Sequence, residues 1–471
     1  MDASFSPGLF LAFSATNFPT VSPTIILTVF LSLFLTLFGL GLAVELFLNF
    51  LNRLEVVRHT TLPSRFSGPP FAGHFNQENY ARSRSYSLER LSFDNVSLLY
   101  SAGLTGLLLF SGILPAFDHA LSMAFTGGPQ ESLHHGVLFL AGVLFIQTLL
   151  KLPLSVWATF RIEGRYGFNT MTWGLFWRDL FKGATLSAAL GVPFLYVVLA
   201  LMRSFGSSWW LCAFGFLLVF QVVLMVVYPI FIAPLFNRFQ PLEDGDLKQA
   251  LLELAGRLRF PAGGIQVMDG SRRSLHSNAY FTGFGRFRLI VLYDTLLRQM
   301  ERPELLGVLA HEIGHYQRRH IYKLMAMQIL ILGGLLFLAS LALRWPPLYT
   351  AFGFDIHAYS GAGAETALLP PGTFAGNPAV GLFLFMTVFS ILSIFFSPLR
   401  NRVSRRYEYE ADAFAIEATG NAPAMQTALI KLSTQNLSNL TPHPWYSAFH
   451  YSHPTLAERL GALEQLRGNA A

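Results

Sequence analysis

The most informative local pattern in the sequence is a pentapeptide in which two histidines flank three residues, the first of them a glutamate. It reads His311-Glu312-Ile313-Gly314-His315. On an α-helix, residues i and i+4 lie one turn apart on the same face, so both imidazoles can bind one zinc ion from one side. The glutamate lies beside them, where its carboxylate can take a proton from an attacking water. The pattern therefore predicts the metal centre and the general base of a hydrolase.

A catalytic zinc site needs a third protein ligand, and we predict that Glu408 supplies it. Glu408 and Asp412 are separated by one helical turn in a polar stretch that follows an apolar span. Asp412 can then accept a hydrogen bond from a ligand imidazole and fix its tautomer. Glu410 points elsewhere on this helix, and we interpret it as a solvated charge. His320 lies five residues beyond His315, about 140° around a continuous helix, so we interpret it as an interface or substrate-side residue.

A third group of polar residues lies near the C-terminus. His453 and Arg459 can donate hydrogen bonds to the negative oxygen that forms during amide hydrolysis. The same residues are equally consistent with a turn before a helix whose arginine is solvated. Similarly, the two helical patterns could belong to polar helices at a membrane surface that bind no metal. The residues alone leave these alternatives open.

The composition excludes an ordinary soluble enzyme. Of the 471 residues, 52% are hydrophobic and only 13% are charged, whereas soluble domains carry roughly 25% charged residues. Lipid must therefore cover much of the surface. The net charge of +6 comes from basic residues in loops that flank apolar spans, so we expect no nucleic-acid partner. Cys212 is the single cysteine, which excludes an intramolecular disulfide and a cysteine-rich metal site.

Seven apolar stretches are long enough to cross a bilayer as helices. Loops rich in Lys and Arg alternate with loops that have none: residues 1–23 and 345–377 carry no basic residue, and 400–471 carries seven. The positive-inside rule places the N-terminus outside or in a lumen, and the C-terminus in the cytosol. The predicted spans are 24–50, 96–114, 133–156, 184–202, 209–232, 321–343 and 379–399.

The same rule places the two long segments that carry the candidate chemistry on the cytosolic side. The chain divides into a membrane region (1–232), a segment with the two-histidine pattern (233–320), a second membrane region (321–399) and a C-terminal segment (400–471). Segment 233–320 is predicted to be a small α/β unit, with helices at 247–258 and 302–320 and strands at 264–268 and 288–293, and an extended stretch at 277–281. We expect its last helix to continue directly into the sixth span.

Beyond the two-histidine pattern, four further motifs resemble those of the type I CAAX prenyl protease family. Members of this family are integral-membrane zinc endopeptidases of the gluzincin type. The resemblance runs over most of the chain. The motifs are YGFNT at 166–170, APLFN at 233–237, VMDGS at 267–271 and SNAYFTG at 277–283.

The resemblance implies a role for each candidate residue. His311, His315 and Glu408 match the family's ligands for one zinc ion per chain, and Glu312 matches its general base. Asp412 matches a carboxylate that contacts a zinc ligand and not the zinc itself. His453 and Arg459 match residues that contact the scissile region and the substrate backbone. Asn278 and Ala279 match an edge strand that binds an extended peptide. The resemblance also implies a mainly α-helical fold: an α-barrel of seven transmembrane helices around an internal chamber, with a small cytosolic α/β protease unit.

Family substrates end in a Cys-a-a-X motif whose cysteine carries an isoprenoid. The resemblance implies removal of the last three residues, and for some substrates a second cut upstream, at the endoplasmic reticulum membrane or a bacterial inner membrane. Two other functions fit the sequence less well. One is a quality-control protease for unprenylated membrane proteins. The other is a seven-helix carrier with a structural zinc, which would need polar residues along its spans, and the spans hold few. Nothing in the sequence indicates an oligomeric state.

Overall fold

The computed structural model describes residues 22–68, 71, 73–125, 133–282, 288–356 and 368–470. Within these residues the chain is mainly helical, with one small sheet. Gly283, the last residue of the SNAYFTG motif, lies outside them. The helices are α1 (Pro23–Arg58), α2 (Gln77–Phe110), α3 (Ile113–Ala124), α4 (Leu133–Val156), α5 (Trp173–Ser204), α6 (Trp209–Val227), α7 (Ala233–Phe236), α8 (Asp246–Arg257), α9 (Asp294–Gln299), α10 (Arg302–Gln317), α11 (His320–Ala342), α12 (Pro347–Thr350), α13 (Pro378–Thr419), α14 (Ala422–Gln435), α15 (Pro444–His450) and α16 (Leu456–Ala470). The strands are β1 (Phe239–Pro241), β2 (Ala262–Met268), β3 (Ala279–Thr282) and β4 (Arg288–Tyr293).

Among the described residues, seven helices are long and apolar enough to cross a bilayer: α1, α2, α4, α5, α6, α11 and α13. Each contains most of one predicted span, and the chain is therefore a multi-pass membrane protein. Turns of π-helix at Trp157–Glu163 and Tyr228–Ile232 extend α4 and α6. The second predicted span was placed too far along the chain. Helix α2 ends at Phe110, because Gly112 adopts a φ of 76° and turns the chain into α3.

The seven membrane helices close into a ring. Helices α4, α5, α6, α11 and α13 pack successively, and α13 then packs against α1, which packs against α2. The ring closes between α2 and the end of α4, where the Tyr100 hydroxyl donates a hydrogen bond to the Leu150 carbonyl at 2.8 Å. Only 6–28% of the residues in the most apolar part of each helix are buried. Most of the others therefore face lipid or the interior of the ring.

One end of the ring is sealed by an apolar core, and we refer to it as the far end. There α13 also packs against α4, with Gly136 close to Ala379. Buried Phe139, Tyr349 and Leu384 belong to the core cluster at this end. The other end of the ring, the metal end, carries the sheet and the two-histidine helix around a second core.

The sheet at the metal end has the strand order β1-β2-β4-β3. Strands β2 and β4 are parallel, while β1 and β3 pair antiparallel with their neighbours. The three-residue β1 was not predicted, because Phe239–Pro241 is too short to give a periodic signal. In this order β3 is an edge strand, and Ala279 pairs with Leu292 on its inner side.

The expectation that the two-histidine helix continues into the sixth span is wrong. Helix α10 ends at Gln317 and α11 begins at His320. Between them Arg319 adopts a left-handed backbone conformation, with a φ of 57°. The chain therefore changes direction after His315, and angles calculated for a continuous helix do not apply to His320.

The seventh membrane helix continues without a break into the polar stretch that carries Glu408 and Asp412. Helix α13 has 42 residues, about 63 Å at 1.5 Å per residue, and the apolar part of a bilayer is only about 30 Å thick. Its last turns therefore protrude at the metal end, where α13 packs along α10. The two long segments, predicted to lie on one side, do meet at the same end of the ring.

Candidate active site

Helix α10 holds the first part of the site. The Glu301 backbone N–H donates to the Glu304 carboxylate at 2.8 Å in a capping box that starts the helix. Gly314 allows close packing against α13, because a Cβ there would lie 3.2 Å from the Ala411 Cα and carbonyl oxygen. Small residues at this crossing bring the α13 carboxylates next to the α10 imidazoles.

Three potential ligand atoms converge where the two helices cross. His311 Nε2 lies 3.2 Å from His315 Nε2, and Glu408 carboxylate oxygens lie 3.5 and 3.4 Å from these two nitrogens. A tetrahedral zinc ion with bonds of about 2.0–2.1 Å would separate its ligand atoms by roughly 3.3 Å. Glu408 Oε2 is buried and has no hydrogen-bond partner among the described residues. The donor set and its spacing therefore fit a metal ion.

Glu312 lies between the two histidines in sequence and is partly buried beside the metal-ligand group. Burial raises the pKa of its carboxyl above the ordinary value, since the charged form loses hydration. A carboxylate with a raised pKa is a better proton acceptor, as a general base requires.

His311 is held from behind by an acid and an arginine. Asp412 Oδ1 lies 2.8 Å from His311 Nδ1, and the Arg459 Nε donates to Asp412 Oδ2 at 2.8 Å. Burial opposes the charged imidazole, but the contacts of the ring with the Asp412 and Glu408 carboxylates raise the pKa of His311 to about 9. A metal ion that binds His311 must therefore displace a proton.

Arg459 was predicted to contact substrate, but the structure places its guanidinium mainly on Asp412. Its side chain is 13% exposed, and Nη1 also lies 3.8 Å from Glu408 Oε2. This geometry gives Arg459 a positioning function at the metal-ligand group, in addition to any contact with a peptide.

His315 is also held from behind, by residues that the sequence interpretation placed elsewhere. His320 Nδ1 lies 3.1 Å from His315 Nδ1, and His320 Nε2 lies 3.0 Å from Glu410 Oε2. His320 is fully buried and stacks on Tyr407 with ring centroids 4.3 Å apart. Glu410 is therefore a hydrogen-bonding partner, and its interpretation as a solvated charge was wrong. The interpretation of His320 as an interface or substrate-side residue was wrong as well, because the break at Arg319 turns it back towards His315.

His453 lies at the open side of the site. Its Nε2 is 3.3 Å from Glu408 Oε1 while 63% of its side chain is exposed. It borders a cavity of about 570 Å³ that is also lined by Asn436, Tyr451 and Arg459. An exposed imidazole beside the ligand group can donate to an oxygen on a reacting peptide.

Edge strand β3 begins next to Asn278. Asn278 is exposed and its carbonyl accepts from the Tyr293 N–H at 3.1 Å, so it extends the β3–β4 pairing. No described strand pairs with the outer side of β3. An extended peptide can add to such an edge through backbone hydrogen bonds. The ligands, Glu312 and His453 thus lie together at the helix crossing, while Asn278 and Ala279 lie on or next to the edge strand, which packs against α10.

Comparison with known families covers most of the chain. Residues 53–238 match the family model described as the CAAX prenyl protease N-terminal region with five membrane helices. Residues 241–467 match the model of peptidase family M48. The second match contains all the site residues described above.

Individual proteins match over nearly their whole length. The chain is 36% identical to the CAAX prenyl protease 1 homolog of Arabidopsis thaliana, over 90% of this chain and 96% of that one. It is 34% identical to CAAX prenyl protease 1 of Saccharomyces cerevisiae, over 90% of this chain and 94% of that one. The crystal structure of S. mikatae Ste24p superposes with a TM-score of 0.82 at 33% identity, covering 95% of this chain and 100% of that one.

Proposed function

The chain belongs to the CAAX prenyl protease group of peptidase family M48, and we propose that it is a zinc-dependent endopeptidase that cleaves prenylated membrane-associated peptides. The reaction is removal of the last three residues of a Cys-a-a-X terminus, with a second upstream cut in some substrates. The observation that carries the proposal is the spacing of about 3.2–3.5 Å among His311, His315 and Glu408.

Each residue has a proposed task in this reaction. His311, His315 and Glu408 would hold one zinc ion, which polarises the attacking water and the scissile carbonyl when it is bound. Glu312 takes the proton of the water and later delivers it to the leaving amine.

We assign the binding of the peptide itself to the edge strand and to residues next to the ligands. Strand β3, with Asn278 and Ala279, would bind the substrate backbone in an extended conformation. His453 would donate a hydrogen bond to the oxyanion. Asp412 and Arg459 hold the His311 ring so that Nε2 faces the metal position.

The positive-inside rule supports a proposed orientation with the N-terminus outside or in a lumen and the metal end in the cytosol. A prenylated terminus reaches a membrane from the cytosol, so this orientation agrees with the proposed substrate. The membrane would be that of the endoplasmic reticulum in a eukaryotic cell, or the inner membrane in a bacterium.

The test compares two variants of the purified protein in detergent. Glu312→Gln keeps the three ligands, so we expect one zinc ion per chain and a loss of cleavage of about 10²–10⁴-fold. Glu243→Gln changes an exposed carboxylate of the same segment and should leave cleavage unchanged. Zinc is measured by elemental analysis, and cleavage with a farnesylated Cys-a-a-X peptide beside its unprenylated twin.

Four outcomes are informative. Cleavage of the farnesylated peptide alone supports the proposed substrate. Equal cleavage of both peptides favours a quality-control protease. One zinc ion without cleavage of either peptide rejects this substrate class, and the absence of zinc rejects the proposed metal.

A further inference from the structure

The two faces of the sheet have different neighbours. Ala279, Phe281 and Ile290 face the core that contains α10, and Phe281 reaches it through Phe260, whose ring also contacts Tyr316 of α10. Because side chains alternate along a strand, Tyr280 and Thr282 face the opposite side. The metal-ligand histidines therefore lie on one face of the sheet, and Tyr280 and Thr282 project from the other.

On that second face there is an apolar cavity of about 770 Å³. Its walls are Tyr280 and Thr282 of β3, Leu289 and Val291 of β4, and the end of the fifth membrane helix around Ile230. Typical ligand pockets have volumes of about 300–1,000 Å³. The cavity thus lies beside the edge strand and at the end of a membrane helix, and it can hold a sizeable apolar group.

A peptide bound along β3 would send its side chains alternately to the two faces of the sheet. Removal of the last three residues breaks the bond that follows the prenylated cysteine, so this cysteine and the next residue point to opposite faces. The face next to α10 is filled by the protease core around Ile290 and Phe281. Among the described residues, the space for a long hydrocarbon chain beside β3 is on the other face.

We propose that this cavity, which we call the isoprenoid cavity, binds the isoprenoid chain of the substrate cysteine. The inference rests on the proposed function and adds a binding site to it. An isoprenoid has no hydrogen-bonding group, which agrees with apolar walls that include Val226, Pro229, Ile230, Leu289 and Val291. The cavity is also continuous with the edge strand through Tyr280 and Thr282, so the chain and the peptide backbone can bind at the same time.

A matched pair of tryptophan variants tests the cavity. Ile230 lines it, whereas the adjacent Phe231 does not, and the two side chains are 58% and 66% exposed. Ile230→Trp fills the cavity, so we expect KM for a farnesylated peptide to rise about tenfold or more, with kcat and zinc content unchanged. Phe231→Trp should change neither KM nor kcat. An unchanged KM for the farnesylated peptide in Ile230→Trp, or an equal rise of KM in Phe231→Trp, would overturn the proposal.

A labelling experiment separates this inference from the proposed reaction, because it measures binding without cleavage. A peptide whose isoprenoid carries a photoreactive diazirine is bound to Glu312→Gln, irradiated and mapped by mass spectrometry. We expect labels on Tyr228, Ile230 or Tyr280, and loss of label when excess farnesylated peptide competes. Labels elsewhere, or displacement by phospholipid as effective as by the peptide, would reject the isoprenoid cavity. If wild-type protein cleaves no peptide, the proposed function fails while the labelling result still decides the binding site.

Discussion

Both candidate metal-ligand histidines are oriented by hydrogen bonds to their second ring nitrogen. His311 is backed by Asp412, and His315 is backed by His320, which contacts Glu410. Such partners fix the tautomer and the direction of the nitrogen that faces a metal, and their loss typically lowers metal affinity. The His320–Glu410 pair should therefore matter for metal binding although neither residue belongs to the ligand group.

We predict that His320→Phe weakens zinc binding about 10–100-fold. Phenylalanine keeps the ring that stacks on Tyr407 but removes both ring nitrogens. The dissociation constant is measured by competition with a chelator of known affinity. Glu417→Gln, a change at an exposed carboxylate of α13, the helix that carries Glu410, is the control and should bind zinc normally. If His320→Phe binds zinc as tightly as wild type while folded, the pair has no positioning function.

At the residue scale, the sequence predicts which site residues share a helix face, because this depends only on their spacing along the helix. His311 with His315, and Glu408 with Asp412, are pairs at i and i+4, and each pair does lie on one face of its helix. His320 could not be placed in this way. Its position depends on a left-handed residue, Arg319, and an arginine gives no sequence signal for that conformation.

At the scale of elements, the site depends on how closely α10 approaches α13. A Cβ on Gly314 would lie 3.1 Å from Phe414 Cδ1 and 3.2 Å from Ala411 backbone atoms. Backbone cannot move aside as a flexible side chain can, so any added methyl group must push the helices apart. Such a shift would separate Glu408 from the two imidazoles.

We therefore predict that Gly314→Ala destabilises the protein by about 1–3 kcal/mol, as overpacking does, and weakens zinc binding. Gly256→Ala in α8 is the matched control, because nothing lies within 4 Å of a Cβ there. That change should be neutral or stabilise the protein by up to about 1 kcal/mol. Thermal unfolding in detergent and chelator competition measure the two effects. A Gly314→Ala protein as stable as wild type, with normal zinc affinity, would contradict the importance of this close contact.

The elements with strong periodic or apolar signals were predicted well, and those that depend on tertiary contacts were not. The long apolar stretches and the strands β2 and β4 lie near their predicted positions. The sequence gives no sign that β1 would pair with β2, since three residues carry too little pattern. The sequence indicated only that α10 and the end of α13 lie on the same side of the membrane. How the two helices pack against each other could be seen only in the structure.

At the scale of the whole molecule, one polar cluster joins the membrane helices to the segment with the edge strand. His276 Nε2 lies 3.2 Å from Glu163 and its Nδ1 lies 3.0 Å from the Asn436 side-chain oxygen. Glu163 also accepts from Tyr86 at 2.8 Å and lies 3.5 Å from Arg90. Both ring nitrogens of His276 face oxygen atoms, so the doubly protonated ring satisfies both contacts.

The charge of His276 should make this connection depend on pH. Burial opposes the charge, but the hydrogen bonds to Glu163 and Asn436 raise the pKa of His276 overall. A pKa that is raised in the folded state means that the charged ring stabilises the fold. This stabilisation is fully present below the pKa of the unfolded state, about 6.5, and is lost as pH rises through the pKa of the folded state.

We predict that His276→Gln lowers the unfolding temperature more at pH 6 than at pH 9. Because His276 is 39% exposed, solvent screening limits the difference in destabilisation between the two pH values to about 1 kcal/mol or less. His119→Gln, at an exposed site on α3, should show no such difference. The His276 ring also stacks on Phe168, with ring centroids 4.0 Å apart. Equal destabilisation by His276→Gln at both pH values would mean that the ring acts through this packing and not by charge.

The arrangement of the ring in the membrane can be tested because the chain has a single cysteine. In a Cys212→Ala background, Asp244→Cys introduces a thiol at the metal end and Thr373→Cys introduces one near the far end, both at exposed positions. The distribution of Lys and Arg predicts that the metal end is cytosolic. A maleimide that cannot cross membranes should therefore label Thr373→Cys from outside sealed cells or from the lumenal face of vesicles. It should label Asp244→Cys only after the membrane is permeabilised. The reverse pattern would place the metal end outside, where a cytosolic prenylated terminus could not reach β3, and the proposed substrate would have to be abandoned even if zinc and peptide hydrolysis were retained.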